Sequence, residues 1–274
     1  SGGANVGLII AYSKPSESDT NAFYKSQVEP FYQRPVGFDH RAASGMQAQR
    51  YLADHGVTEK QLAGLVSKRW ASASAGRRVP IDAVPDEREV LASPSVARPL
   101  TQLMMSRPTD GAVAILIASE DIARRTAKTP VWITGMGMSG DRHSFATRKA
   151  GALEACEAAA KSAFKRAGWT KPAADVAETS ASSAVTELMV LESIGLAKAG
   201  KGLDLLDDGK VAVNRSGGAL PADPIMATGL IRLAEASRQL VYPGEYGLKS
   251  PATAIAHGAG GVGMQTHCVF TLEV

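Results

Sequence analysis

The feature that most constrains the fold is the alternation of short apolar runs with amphipathic runs in the second half of the chain. The short runs have the length of strands, and the amphipathic runs carry apolar residues at helical spacing. Because strands and helices alternate and the chain ends on two strands, the order predicts an α/β fold in which helices cover a mixed sheet. The predicted strands span residues 174–178, 211–213, 253–256 and 265–272, and the predicted helices span residues 147–167, 186–196 and 224–240.

The first half of the chain contains further apolar runs of strand length. Residues 7–12 are continuously apolar, which is typical of a strand in a parallel sheet that is covered on both faces. Residues 111–118 and 130–134 are also predicted to be strands. Between residues 41 and 66 the sequence predicts two short helices that break at Gly56, whereas residues 14–40 and 73–94 are predicted to be mostly loop.

Charge and composition argue against several classes of protein. The formal net charge is only +3 over 274 residues, which gives no support for a nucleic-acid-binding protein. The sequence has neither a run of about 18 apolar residues nor a secretory signal, so it indicates no membrane span and no export. Cys156 and Cys268 have neither a paired spacing nor a metal-binding pattern, which predicts no metal and indicates a reducing cytoplasm.

Two glycine-rich runs match the dinucleotide-binding fingerprint by letter. They are Gly135–Gly140 and Gly258–Gly263. Only 11 residues follow the second run, too few for the helix and strand that the fingerprint requires, and the first run lacks an acidic residue at the expected distance. We therefore interpret both runs as tight turns. A nucleotide-binding oxidoreductase is kept as an alternative of another class.

The segment from Ser216 to Pro224 follows a predicted strand and precedes a long predicted helix. Asp223 is a favoured residue for capping the start of a helix, and Pro224 suits the first helical position. A functional interpretation is also open, in which the free N–H groups of this helix start face an oxyanion or a phosphate.

His257 and a cluster of serines are the candidate catalytic residues. His257 lies at the end of a predicted strand, and the glycines that follow it predict an exposed imidazole that can act as a general acid or base. A histidine that only caps its own turn is the alternative. Ser180, Ser182 and Ser183 follow another strand, and Ser183 suits the cap of the next helix. A catalytic serine would need a base within hydrogen-bonding reach.

Taken in order, these segments resemble the thiolase superfamily, in particular the sterol-carrier-protein or lipid-transfer type of thiolase. The resemblance covers essentially the whole chain and includes the strand Pro108–Glu120 and the two glycine-containing loops. It implies the thiolase fold, in which mixed five-stranded sheets and helices are arranged in layers, with an incomplete N-terminal half. The implied parts are the remainder of the first half (residues 1–19 and 106–128), a loop domain that covers CoA (20–105) and the C-terminal half (129–274).

The chain departs from the family at the positions where the family carries its catalytic motifs. The His-Asp-Cys-Phe motif of this branch aligns with Ser180–Ser183, and its Gly-His-Pro motif aligns with Ala222–Pro224. The terminal catalytic cysteine of ordinary thiolases falls near His257. The nucleophilic cysteine of the first half would lie upstream of Ser1, so we expect it to be absent from this chain.

What the resemblance implies is an acyl-CoA-processing subunit with degenerate catalytic motifs. Its reaction would be acyl transfer or thiolysis, or retro-aldol carbon–carbon cleavage, on a β-keto or β-hydroxy acyl-CoA of lipid or steroid side-chain type. A catalytically inactive protein that binds acyl-CoA or a partner is the alternative. The implied catalytic candidates are His257, Asp223, Ser182 and Ser180, and the implied CoA-binding candidates are Ser216, Gly217, Gly218, Gly260 and Gly261.

The resemblance also implies ligands and partners. The CoA thioester is expected as the substrate, and no covalently bound cofactor is expected. A homodimer or a hetero-oligomer is expected, in which the second chain is an OB-fold, zinc-ribbon acyl-CoA-binding subunit or a chain that supplies the missing front. We expect the protein to work in the cytoplasm.

Overall fold

A computed structural model of the chain describes residues 3–76 and 78–274. Its strands are β1 (Val6–Ser13), β2 (Ser95–Ala97), β3 (Leu100–Thr101), β4 (Gly111–Ala118), β5 (Trp132–Gly140), β6 (Val176–Thr179), β7 (Ala212–Val213), β8 (Thr253–Gly260) and β9 (Thr266–Glu273). Its α-helices are α1 (Thr20–Ser26), α2 (His40–His55), α3 (Glu59–Gly76), α4 (Glu87–Ala92), α5 (Glu120–Thr126), α6 (Glu154–Ala167), α7 (Ala184–Ile194), α8 (Gly202–Asp208) and α9 (Thr228–Val241). No helix in these ranges is both long enough and apolar enough to cross a membrane.

The main sheet has five strands in the order β5-β9-β8-β6-β7. Strand β6 runs parallel to β7 and β8, and β9 runs antiparallel to β5 and β8. Helices α6 and α7 cover one face, where Ile255 and Val269 belong to the largest apolar core cluster, and α9 packs on the other face against Ala254 and Ala256. The predicted mixed α/β fold with helices on both faces of the sheet is therefore confirmed.

Two helices end at the glycines where the sequence predicts them to end. One helix does not begin at the proline where the sequence predicts its start. Gly56 ends α2 and Gly168 ends α6, and both adopt the left-handed conformation that glycine tolerates best. Helix α9, in contrast, begins at Thr228 and not at Pro224. The intervening residues form a turn in which the N–H groups of Ala227 and Thr228 both donate to the carbonyl of Pro224. The interpretation of Asp223 as the helix cap was therefore wrong.

The glycine run Gly135–Gly140 is a strand and not a tight turn. All of it belongs to β5, which pairs with β9. The glycines are needed because α6 lies very close: a Cβ at Gly135 would overlap the carbonyl oxygen of Ala163, and a Cβ at Gly137 would overlap that of Ala159. No described helix starts directly after either glycine run, so the dinucleotide-binding geometry is not formed.

Strands β1 and β4 form a separate antiparallel pair, which corrects the expectation of a covered parallel strand. The apolar side chains of one face are strongly exposed, with Leu8 at 60%, Tyr12 at 74% and Leu116 at 73%. The other face packs partly on α9 through Ile115. A continuous apolar run indicates a strand but not its partners, and among the described residues none covers the exposed face.

Candidate functional site

A cavity of about 320 Å³ lies where β6 and β8 end, and we call it the central cavity. The segment after β6 and the turn between β8 and β9 form part of its wall, and α1 and the start of α2 form another part. Its lining includes the polar side chains of Tyr24, His40, Ser106, Ser180, Ser182 and Asp223, together with Gly260 and Gly261.

Asp223 contributes a carboxyl group to the lining of the central cavity. Ser106 donates a 2.7 Å hydrogen bond to one of its oxygens, and the hydroxyl of Thr228 donates to the other. Burial raises the pKa of this carboxyl above its ordinary value, although the two hydroxyls and the charge of Arg232 act in the opposite direction. A carboxyl in this state is a stronger base than an exposed aspartate.

Tyr24 and His40 face the same cavity and stack on each other, with 3.5 Å between their ring centroids. Burial lowers the pKa of His40 to about 4, so the ring is neutral at ordinary pH, and its buried Nδ1 has no hydrogen-bond partner among the described residues. Burial and then the charge of Asp223 raise the pKa of Tyr24, so its phenol stays protonated. The sequence alone points to neither residue as part of a site. The only signal was Asp39, whose capping side chain places His40 at the start of α2.

Of the three serines after β6, one caps a helix and two line the central cavity. Ser183 caps α7 by accepting a 3.2 Å hydrogen bond from the N–H of Thr186, so its predicted capping role is confirmed. Ser182 Oγ lies 3.5 Å from Ser44 Oγ. The backbone N–H of Ser180 donates to the carbonyl of His257, but the structure shows no hydrogen bond from either Ser180 or Ser182 to the His257 ring. Their catalytic roles stay predictions.

His257 is buried and does not line the central cavity. Its side chain is 0% exposed, so the expectation that the following glycines expose it was wrong. The side chain lies on the face of the sheet that α6 covers, because alternate residues of β8 point to opposite faces, and its Nε2 is 2.9 Å from Nδ1 of His267. Burial, followed by the influence of His267, holds the pKa of His257 well below its ordinary value. The imidazole that was predicted to act as a general acid or base therefore has no direct contact with the central cavity.

The turn Ser216–Gly218 lies beside a second cavity of about 1080 Å³, which Ser216 and Gly218 line. A buried ion pair holds this turn: Arg232 and Glu178 are 2.8 Å apart, and Ser216 donates to Glu178 through its hydroxyl and its N–H. Gly217 packs against α3, where a Cβ would lie only 2.6 Å from that of Ala73.

Two extended segments, residues 106–108 and 222–224, form the wall between the two cavities. Ser106 and Asp223 line the central cavity, whereas their neighbours in both segments line the second cavity. The segments pair through a 2.8 Å hydrogen bond from the N–H of Asp223 to the carbonyl of Arg107. Alternation along extended backbone therefore sends Asp223 to one side and Pro224 to the other.

Comparison with protein families finds one matching family model, described as "Thiolase C-terminal domain-like", over residues 137–273. An acetyl-CoA acetyltransferase of Methanothermobacter thermautotrophicus is 30% identical over 229 residues, which cover 80% of this chain and 59% of that protein. The benzoylsuccinyl-CoA thiolase subunit BbsB of Thauera aromatica is 27% identical, with coverage of 79% and 59%. Sterol carrier protein 2 of Gallus gallus is 34% identical, with coverage of 56% and 30%. The matched part of this chain thus spans at most 59% of the length of these relatives.

Two solved structures share the fold. One is described as an Ltp2-ChsH2(DUF35) aldolase, with a TM-score of 0.82, 18% identity, and coverage of 99% of this chain and 73% of that chain. The other is a monomeric SCP2-thiolase like protein of Mycobacterium smegmatis, with a TM-score of 0.69, 18% identity, and coverage of 100% and 57%.

Proposed function

Because the chain belongs to the thiolase family, we propose that its central cavity receives the thioester end of an acyl-CoA substrate and supports carbon–carbon bond cleavage there. The supporting observation is the buried, hydroxyl-bonded carboxyl of Asp223, which shares the cavity with a protonated tyrosine and a neutral histidine. These are acid–base groups of the kind that move protons in enzyme active sites.

The reaction that these groups support best is retro-aldol cleavage of a β-hydroxy acyl-CoA. The β-hydroxyl loses its proton to the Asp223 carboxylate as the Cα–Cβ bond breaks, and its oxygen becomes the carbonyl of a ketone or an aldehyde. The bonding electrons pass to the thioester as an enolate, which is then protonated at Cα. Tyr24 stays protonated because its pKa is raised, so its phenol can donate a hydrogen bond to the enolate oxygen.

Thiolysis or acyl transfer would also require a thiol at the reacting carbon. In the described ranges neither Cys156 nor Cys268 lines the central cavity. Retro-aldol cleavage needs no thiol, so the groups described in the central cavity are sufficient for it.

We further propose that the chain works in an assembly, as a homodimer or with an OB-fold, zinc-ribbon acyl-CoA-binding subunit or another thiolase-family segment. The exposed apolar face of β1 and β4 supports this, since large apolar patches on a protein surface commonly mark interaction sites. One solved structure of this fold is described as an "Ltp2-ChsH2(DUF35) aldolase", a description that names two components. The proposed compartment is the cytoplasm, where the thiols of Cys156 and Cys268 stay reduced.

The test combines product analysis with binding. The full chain is incubated with β-hydroxy acyl-CoA compounds, and with β-keto acyl-CoA compounds plus CoA, and the products are identified by mass spectrometry. We expect a shortened acyl-CoA and a carbonyl product from the β-hydroxy substrate, and a loss of at least about tenfold in rate for Asp223→Asn. Asp54→Asn is the matched control, because Asp54 lies on α2 and only pairs with Arg50.

Two outcomes would count against the retro-aldol proposal. Tight acyl-CoA binding without any product would favour the alternative of an inactive acyl-CoA-binding protein. Product formation that is equally fast in Asp223→Asn would show that the central cavity is not the reaction site.

A further inference from the structure

We propose that His257 and His267 are positioning residues of the central cavity, because their imidazoles form a directed hydrogen-bond chain that holds the turn between β8 and β9. The chain runs from His257 through His267 to the carbonyl of Met264, which lines the cavity. Neither imidazole lines the cavity, so neither is placed to touch a substrate. The hold on the turn does not depend on a reaction, whereas its effect on turnover rests on the proposed function.

The position of the hydrogen on His267 is fixed by the turn. Its Nε2 lies 2.7 Å from the carbonyl oxygen of Met264, which can only accept, so Nε2 carries a hydrogen. Burial lowers the pKa of His267 to about 4, so at neutral pH the ring is uncharged and has a single N–H. Its Nδ1 is therefore a bare acceptor, and the 2.9 Å contact with Nε2 of His257 takes its hydrogen from His257.

The surroundings of His257 lead to the same arrangement independently. Burial holds the pKa of this imidazole well below its ordinary value, so it also has a single N–H. Its Nδ1 is buried and has no partner among residues 3–76 and 78–274, so a hydrogen there would be a buried donor without an acceptor. The hydrogen therefore belongs on Nε2, where His267 accepts it. The two ends of the pair select one and the same set of tautomers.

The turn between β8 and β9 has a backbone conformation that needs support. Met264 has a φ of 58°, in the left-handed region that disfavours residues with a side chain. Such a conformation persists only where the surrounding contacts fix it. His267 supplies a contact at Met264 itself, and the carbonyl of Gly263 accepts hydrogen bonds of 3.2 Å from Gln47 and 3.3 Å from Arg148. Gly263 and Met264 line the central cavity, whereas the three donors lie outside its lining.

The same pair connects two parts of the cavity wall. The backbone carbonyl of His257 accepts a 3.1 Å hydrogen bond from the N–H of Ser180, which lies in the segment after β6. The side chain of His257 reaches Met264 through His267. Because Ser180 and Met264 both line the central cavity, the two imidazoles help to set the separation of these wall segments.

A fully directed pair of imidazoles suits a positioning role better than an apolar pair would. His257 and His267 are 0% and 1% exposed, and removing such groups from water is costly unless they are hydrogen-bonded. Hydrogen bonds in a buried network fix one arrangement of the groups that they join. In an active site, a wall displaced by about 1 Å lowers the rate by up to about a hundredfold. The pair therefore matters for catalysis through the turn that it holds.

The first measurement determines the tautomers in the full wild-type chain. Nitrogen-15 NMR of the histidine side chains is recorded at neutral pH. We expect His257 and His267 each to carry the hydrogen on Nε2 and none on Nδ1. A hydrogen on Nδ1 of His267 in the folded chain would overturn the proposal, whatever the variants do.

Two substitutions of His267 separate its two hydrogen bonds. The amide nitrogen of glutamine reaches about as far from the backbone as Nε2, so His267→Gln keeps a donor for Met264 and gives up the acceptor for His257. The amide oxygen of asparagine reaches about as far as Nδ1, so His267→Asn keeps the acceptor and gives up the donor. His143→Asn is the matched control, because His143 is exposed.

The second measurement compares these variants by the carbon-13 methyl signal of Met264, assigned with Met264→Leu, and by the turnover of β-hydroxy acyl-CoA. We expect His267→Asn to shift that signal and to lower kcat at least about tenfold relative to His267→Gln, whose signal stays near that of the wild-type chain. Equal Met264 signals in the two folded variants would overturn the proposal, as would equal kcat values. The methyl signal needs no turnover, so a chain without activity would refute the proposed function and leave the signal to decide the positioning role.

Discussion

Ser106 and Asp223, which lie 117 positions apart in the sequence, are joined by a 2.7 Å hydrogen bond in the wall of the central cavity. The hydroxyl donates to the carboxyl oxygen, and backbone hydrogen bonds between the two segments hold the pair in register. Asp223 is therefore positioned by a segment that the first half of the chain contributes. Its acidity depends on that segment as well.

The first prediction concerns Ser106→Ala. A hydroxyl that donates to a carboxylate stabilises the charged form, so its removal raises the pKa of Asp223 further. A carbon-13 NMR titration of the aspartate carboxyl groups would show the shift, and the acidic limb of the pH–rate profile would move to higher pH. Ser237→Ala is the control, since its hydroxyl bonds only to Leu233 within α9. An unchanged titration of Asp223 would contradict the prediction.

The second prediction concerns the pH dependence of folding. Because the pKa of Asp223 is raised in the folded state, that state binds the proton more tightly than the unfolded chain does. The free energy of unfolding contributed by this group therefore falls as pH rises from its ordinary pKa to the raised value. Urea unfolding at a series of pH values should show a smaller decline for Asp223→Asn than for the wild-type chain. An identical pH dependence in both would count against it.

The third prediction tests the close approach of α6 to β5. Gly137→Ala should lower the free energy of unfolding by about 3 kcal/mol, because the new Cβ would overlap the carbonyl oxygen of Ala159. Gly140→Ala, on the same strand, should change it by less than about 0.5 kcal/mol, since its Cβ would meet Thr266 at an ordinary 3.5 Å. Denaturant unfolding of both variants makes the comparison, and equal stabilities would refute the packing argument.

The fourth prediction concerns the buried ion pair beside the turn Ser216–Gly218. Glu178→Gln should cost about 3 to 5 kcal/mol, because it removes the carboxylate that pairs directly with the buried guanidinium of Arg232. Glu120→Gln removes an exposed partner of Arg124 and should have little effect on stability. Chemical denaturation and hydrogen exchange at residues 216–218 would measure both. A stable variant with a well-protected turn would disprove the anchoring role.

The sequence predicts the elements that carry their own local signals. Helix α6 was predicted from the helical spacing of its apolar residues and from the glycine at its end. It begins at Glu154 and not at the predicted residue 147. The run Gly135–Gly140 was misinterpreted because glycine permits both a turn and a close contact with a neighbour, and the neighbour is remote in sequence. The pairing of β1 with β4 could not be predicted either, because the two strands are remote from each other in the sequence.

The candidate site likewise contains residues that the sequence reveals and residues that only the tertiary fold brings together. Asp223, Ser180 and Ser182 were selected through the resemblance to the thiolase family, and the structure places all three around one cavity. Tyr24 and His40 come from segments without a periodic pattern, and only tertiary folding brings them together. The burial of His257 depends on which face of β8 it occupies, which a strand end does not reveal.

The missing side chains of Gly135 and Gly137 have an effect beyond their own strand. They let the backbone of α6 rest on β5, and the same helix carries Cys156 about one turn before Ala159. The depth at which α6 and its buried Cys156 lie on the sheet thus depends on two residues that have no side chains. A single methyl added on β5 would therefore disturb the packing of α6 against the sheet, at positions where the native chain has no side chain at all.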